Sequence, residues 1–369
     1  GRTKIDIVVF VGYSCSMTTD FLIIGQGVCG TFLSYYLQKE GRSVIVMDDA
    51  YPDSPSRIAA GIINPVTGRR LVTVWKVEEV LPYAWQAYTE IGTELSINAI
   101  SQKNIIDFFP NPFMRESFLQ KIETGDQYVH AYPEQNHFNT FFKYEFGCGE
   151  IRPVYTAHLD NLLPAWRKVL NAAGFLREES FDITALKVSS DHIQYKDITA
   201  RKVIFCDGPA SFNNPYFKQL PFAPNKGEAL IAEIPGLPEH NIYKKSMMLV
   251  PLPEKDLFWI GASYVWDFDD AGPTVVFREN TEKVMKEWLK IPFKIVAHRS
   301  GLRPATLERR PFAGLHPLHS SVGILNGMGT KGCSLAPFFA RQLTDYLLYD
   351  LPIAKDADVR RFEKILSRR

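Results

Sequence analysis

The segment Gly25-Gln26-Gly27-Val28-Cys29-Gly30 spaces three glycines as GxGxxG, between an apolar run and an amphipathic one. That spacing suits binding of a dinucleotide pyrophosphate. The first glycine permits a tight turn, the second lets the backbone approach the phosphates, and the third lets helix and strand pack closely. A helix opening at Val28 adds free N–H groups and the positive end of its dipole. Asp48, 23 positions beyond Gly25, closes the next apolar run. An acid there can bind ribose hydroxyls and disfavours a 2′-phosphate. These residues fit FAD or NAD better than NADP.

The elements that must position these groups are legible. Asp20 to Ile24 reads as a buried parallel strand, Val28 to Lys39 as a helix and Ser43 to Met47 as a second strand. The stretch 50–70 mixes Pro, Gly, Ser and Asn with small apolar residues and reads as a functional loop. Helices are expected over 80–95, 157–173, 281–289 and 335–348, and strands over 202–206, 258–262 and 322–325. Aromatic density rises from Asn104 to Gly149, where alternation suggests strands of a second, antiparallel unit.

Bulk properties exclude several functions. The 369 residues carry 42 Lys and Arg against 41 Asp and Glu. That near-balance offers no bulk attraction to nucleic acid. Five cysteines without CxxC spacing build neither a disulfide framework nor a zinc site, and fit a reducing, cytoplasmic setting. The eight histidines show no metal-ligand spacing. No apolar run reaches the length of a membrane span. Residues 1–16 read as an N-terminal extension before Met17, rather than as an export signal, because a clean cleavage site is missing.

Four blocks of the chain resemble the D-amino-acid oxidase and glycine oxidase family of FAD-dependent oxidoreductases. They are the GxGxxG unit with Asp48; Ser56 to Pro65; Val203-Ile-Phe-Cys-Asp-Gly208; and Gly301-Leu-Arg-Pro304 with Pro311 to Gly314 and Gly327-Met-Gly-Thr-Lys-Gly332. The similarity covers nearly the whole chain after Met17. It implies a Rossmann-type α/β FAD-binding domain in three pieces, 17–81, 149–221 and 296–369. The insertions 82–148 and 222–295 would form an α+β substrate domain with an antiparallel sheet.

The resemblance implies non-covalent FAD, because the region of Leu302 and Arg303 lacks the cysteine that anchors flavin in some relatives. It places on the cofactor Gly25 to Gly30, Asp48, Asp49, Ser56, Ala60, Gly61, Ile62, Cys206, Gly208, Gly327, Gly329, Thr330, Lys331 and Gly332. Small residues are needed at Ala60 and Gly61 for the backbone to run along the flavin. Cys206-Asp207 departs from the small residues usual there. Arg303 is implied as the clamp on a substrate carboxylate, a task its planar fork suits. A structural role for Arg303, paired with Glu308 or Asp267, is the competing reading. Lys331 would place positive charge by the flavin, and Tyr264 with Trp266 would line the pocket.

The activity implied is oxidation of a small amine or amino acid by hydride transfer to flavin N5, giving an imine, with oxygen or another acceptor reoxidising the flavin. Two alternatives stay open: action on a modified tRNA nucleoside, as in some relatives, and non-catalytic flavin binding.

Overall fold

The computed structural model describes residues 16–368. The reading of residues 1–16 as an extension therefore lies almost wholly outside the described residues.

Strand Met17–Ile24 begins a sheet because every residue from Phe21 to Ile24 is buried, alternately toward two cores. Phe21 and Ile23 face a core built on the Val28–Lys39 helix, while Leu22 and Ile24 face one built on Phe205, Phe217 and Ile324. Continuous apolar strands of this kind belong to parallel sheets covered on both faces. Accordingly Met17–Ile24 pairs in parallel with Val44–Met47 on one side and Ile198–Phe205 on the other. Leu176–Arg177 extends the sheet beyond Val44–Met47, and Val322–Asn326 joins Ile198–Phe205, both in parallel. The antiparallel strands Ile193–Tyr195, Leu186–Val188 and Phe312–Leu315 complete the Rossmann-type layer.

A second eight-stranded sheet runs in the order Lys294–Arg303, Asn225–Glu233, Leu257–Gly261, Met248–Pro251, Ile242–Lys244, Ile105–Phe108, Cys148–Ile151 and Val129–Ala131. Its pairs are antiparallel except one: Ile242–Lys244 runs parallel to Ile105–Phe108. Lys294–Arg303, assigned from residue 296 to the dinucleotide-binding unit on sequence, pairs with Asn225–Glu233 along nearly its whole length. Cys148–Ile151, across the expected boundary at 149, pairs into the same sheet. One face of this sheet packs on Phe108, Phe142, Phe258 and Trp288. The other turns toward the Rossmann-type layer.

Helices Val28–Lys39 and Leu159–Ala172 lie where their periodicity put them. The helix expected over 281–289 begins earlier, at Val275, because Thr274 caps it by accepting a hydrogen bond from the Phe277 N–H. The helix expected from 335 begins at Gly332. The 104–149 stretch holds a helix, Pro112–Glu123, as well as strands; Asn111 caps it through the Met114 N–H, with Pro at its first turn.

Candidate functional site

A large cleft of about 2410 Å³ runs between the two sheets. Ordinary small-ligand pockets occupy ~300–1,000 Å³, so this one has room for a dinucleotide and a further ligand.

At one end, the turn Gly25–Gly30 shows the cradle its sequence implies. Gly25 adopts φ +100°, and a β-carbon there would stand 2.3 Å from the Cys206 carbonyl oxygen. A β-carbon at Gly30 would stand 1.8 Å from the Gly25 carbonyl oxygen. The turn is closed by backbone-to-backbone contact that no side chain can enter. Gly27 caps the helix and no acid occupies the first turn, so the positive dipole end stays uncompensated. The Val28 N–H donates to Ser56 Oγ at 3.0 Å. Among the described residues, no bond within the chain engages the N–H of Cys29 or Gly30. These features fit a pyrophosphate.

Asp48 lines the cleft and accepts from the Gln26 N–H at 2.9 Å, the Ala50 N–H at 2.8 Å and Arg167 Nη1 at 2.8 Å. A carboxylate offers about four acceptor positions. Roughly one is left for a ribose hydroxyl. Arg167 also donates to Gln26 Oε1 and Glu178. Neither the motif nor helical spacing identifies this arginine, because a long-range pair leaves no trace in local pattern.

Asp49, Ser56, Ala60, Gly61, Ile62, Cys206, Gly208, Gly329, Thr330, Lys331 and Gly332 also line the cleft. Three expected cofactor residues lie off its wall. Gln26 is fully buried, its amide donating inward to Thr31 Oγ1 and the Leu163 carbonyl. Gly30 serves the close packing just described. Gly327 is packed under Thr306 and Phe312 at φ +75°.

Asp207, half-buried at the end of Ile198–Phe205 and on the cleft wall, has its carboxyl raised to about 6 by desolvation, against the hydrogen bond donated by Ser211. Burial likewise pushes the Cys29 and Cys333 thiols up to about 12 and raises Cys206 well above its ordinary value. None of the three is a thiolate near neutral pH.

At the other end, strand register sets the cleft wall. Side chains alternate along a strand, and Asn225 opposes Arg303 while Gly227 opposes Gly301. The Arg303 guanidinium lies flat across Gly227, where a β-carbon would stand 2.0 Å from Nη2 and 2.2 Å from Cζ. Its Nη1 donates to Asn225 Oδ1 and to the Ser263 carbonyl, and its plane sits 4.6 Å from the Tyr264 ring centre. Neither Glu308 nor Asp267 pairs with it: Glu308 binds Arg361 at 3.1 Å. Burial lowers the Arg303 pKa and no carboxylate offsets it. Asn225 Nδ2 is buried without a partner. A desolvated cation on the cleft wall with no acid beside it is what an incoming carboxylate would satisfy.

Trp259 lies over Gly261 on the same wall and donates from Nε1 to the Ile58 carbonyl at 3.1 Å, tying the sheet to the small-residue loop. Lys331 caps the Gly332–Tyr349 helix, and its pKa falls through burial and the nearby Arg310 and Arg309. Tyr264 and Trp266 are largely exposed, on a segment that Glu228 holds at both ends. Among the described residues, no group of three or more His, Cys, Asp or Glu is arranged for a metal ion, and no helix is long and apolar enough to cross a membrane.

Comparison with known proteins matches residues 20–346 to a family described as FAD dependent oxidoreductase, DAO. The chain is 24% identical over 350 residues to the glycine oxidase of Bacillus subtilis (strain 168), covering 89% of this chain and 92% of that protein. Among solved structures, it is similar to glycine oxidase from Geobacillus kaustophilus, with a TM-score of 0.74 and 19% identity over 91% of this chain and 96% of that one. It is also similar to iminodiacetate oxidase from Chelativorans sp. BNC1, with a TM-score of 0.73 and 17% identity over 91% and 98%.

Proposed function

Since the chain belongs to the DAO family of FAD-dependent oxidoreductases and is of the amino-acid or amine oxidase type, we propose that it oxidises an amino acid whose carboxylate is held by Arg303. The observation that carries this reading is the desolvated Arg303 guanidinium on the cleft wall, bonded to an amide and a carbonyl but to no acid.

The ADP half of FAD would lie along Gly25–Gly30 and Asp48, held non-covalently. Its ring would lie between the Ala60–Ile62 loop, the Gly329–Gly332 turn and the second sheet. Bound FAD supplies a hydride acceptor at N5.

The protein's own part is positioning and exclusion of water. Arg303 fixes the carboxylate through two parallel N–H···O bonds from Nε and Nη2, while Asn225 Oδ1 and the Ser263 carbonyl hold Nη1 in place. The fixed carboxylate orients the α-carbon, whose C–H bond breaks with both electrons leaving as hydride. The nitrogen lone pair closes to an imine, and water then adds to give a carbonyl compound and free amine. Lys331 and the N–H groups at the start of the Gly332–Tyr349 helix favour negative charge on the ring. No side chain is required as an obligatory base, since an amine that binds unprotonated carries its own electron pair.

Arg303→Ala removes a charge-assisted pair worth ~1.5–3 kcal/mol, so kcat/KM for the best amino-acid substrate should fall ~10–100-fold or more. Unchanged kinetics would remove the clamp from the account.

A further inference from the structure

The cleft does not end at Arg303. The wall of the second sheet continues across Gly227, Gly261, Trp259 and Met248 to Lys244 and Asp107. Lys244 and Asp107 are register partners on the parallel pair of strands. Ile106 and Phe108 point to the core beneath the sheet, whereas Ile105 and Phe109 share the opposite face with Asp107. The Asp107 carboxylate is thus aimed into the cleft while the residue is only 8% exposed. Among the described residues it has no hydrogen-bond partner, only Lys244 Nζ at 3.7 Å. Burying an ion pair this loose in the wall of a cleft is costly unless a ligand completes it.

The surroundings give the sign of that ligand. Arg69 and Arg70 form the exposed tip of the Val66–Thr67 and Val72–Thr73 hairpin over the same cleft. Lys121 donates to the Leu71 carbonyl at 2.9 Å and ties the hairpin to the Pro112–Glu123 helix. Lys245 follows Lys244 on the cleft wall. Against these five cations stand two acids, Asp107 and Asp126. Asp126 is engaged by the N–H groups of Tyr128 and Val129. Among the described residues, none of Arg69, Arg70, Lys121 and Lys245 has an acidic partner. A net excess of three positive charges faces one end of the cleft.

We infer that the substrate is an elongated amino acid carrying a second anionic group, a carboxylate or phosphate, bound between Lys244 and the Arg69–Arg70 hairpin while Arg303 holds the first. This rests on the amine-oxidising reading and names its substrate class. Lys294–Arg303 and Ile242–Lys244 are four strand spacings apart in the sheet, which is roughly 19 Å at ~4.8 Å each. The register sets Lys244 level with Arg299, four residues along the strand from Arg303. The Arg303 guanidinium, however, reaches back across Gly227, to roughly 16 Å from the Lys244 backbone. Contacts of ~3 Å at each end then leave roughly 10 Å between the two anions, about eight covalent bonds. Asp107 holds the Lys244 ammonium toward the cleft and is a positioning residue.

The test uses the flavin-loaded enzyme and N-substituted glycines whose tails of two to ten carbons end in carboxylate, phosphonate or neutral carboxamide. Binding is read as perturbation of the flavin absorbance, and turnover as kcat/KM. The acid-ended ligands of about eight-bond separation should exceed their carboxamide counterparts about 10-fold or more in kcat/KM. That preference should shrink as salt is raised and fall to about unity in Arg69→Gln/Arg70→Gln. Those two residues are exposed, so this variant should fold; Lys244→Met, half-buried, provides a second test of the same ratio with a melting curve beside it. A phosphonate preferred over carboxylate would identify a phosphate-bearing substrate, and the reverse a dicarboxylate. Equal kinetics for acids and carboxamides, with the short glycines still oxidised, would overturn this inference alone. A flavin that responds to none of the ligands would overturn the amine-oxidising reading together with it.

Discussion

Substituting Gly227 by alanine tests the Arg303 clamp without touching the arginine. The added methyl would lie 2.0 Å from Nη2, 2.2 Å from Cζ and 2.6 Å from Nη1. Contact at van der Waals distance needs ~3.4 Å or more, so the guanidinium must retreat by over ~1 Å. It then loses its bond to Asn225 Oδ1 or to the Ser263 carbonyl. A misplacement of about 1 Å in a positioning group costs roughly 100-fold in rate, or ~2.7 kcal/mol in transition-state stabilisation. The fold should tolerate the change. Gly227 is not among the positive-φ glycines, alanine is no worse than glycine within a strand, and the arginine can swing into the open cleft. The expected result is a ~30–100-fold loss of kcat/KM, with flavin retention kept and a melting temperature within a few degrees. In an Arg303→Ala background the same change should cost almost nothing further, since its only target is gone. Wild-type kinetics in Gly227→Ala, or full additivity in the double variant, would refute the placement of the guanidinium as the working one.

Two further predictions follow from other parts of the structure. Asp207 has a folded-state pKa of about 6 against an ordinary 3.8, so its contribution favours folding most below about pH 4 and is lost as pH rises through 6. Asp207→Asn should therefore raise the melting temperature at pH 8 relative to wild type, by an effect of up to ~2 kcal/mol after solvent screening, and do little at pH 4; no difference between the two pH values would count against the desolvated acid. Glu228 accepts from His298 Nε2 at 3.0 Å and from the Thr274 N–H and hydroxyl at 2.6 and 2.8 Å. Glu228→Ala should destabilise by ~2–4 kcal/mol and expose the 262–274 segment to limited proteolysis, whereas a merely decorative pair would leave both unchanged.

The Rossmann-type half was legible because its signals are local. GxGxxG, the apolar runs and Asp48 all fall within one strand–helix–strand unit, and parallel strands buried on both faces read as continuous apolar segments. Arg303 came from the resemblance, and its freedom from an acidic partner emerged only from the register that sets it opposite Asn225. Gln26 and Gly30 carry the motif yet do not line the cleft; one anchors the helix inward and the other permits its approach. Arg167, Asn225, Trp259 and the Lys244–Asp107 pair were invisible in sequence, since each acts through strands or helices brought together from more than 30 residues away. The pairing of the 294–303 strand with 225–233 was not legible for a related reason: its mixture of charged and apolar residues gives no sign of which sheet it joins.

The most direct test of the account is the absorbance spectrum of the purified protein during anaerobic titration with amino acids, from glycine and sarcosine to acid-tailed N-alkyl glycines. The account predicts flavin bands that survive gel filtration, are released by denaturation as free FAD, and bleach stoichiometrically with at least one amino acid. A protein that binds FAD but is bleached by no amino acid in either the short or the acid-tailed series would contradict it.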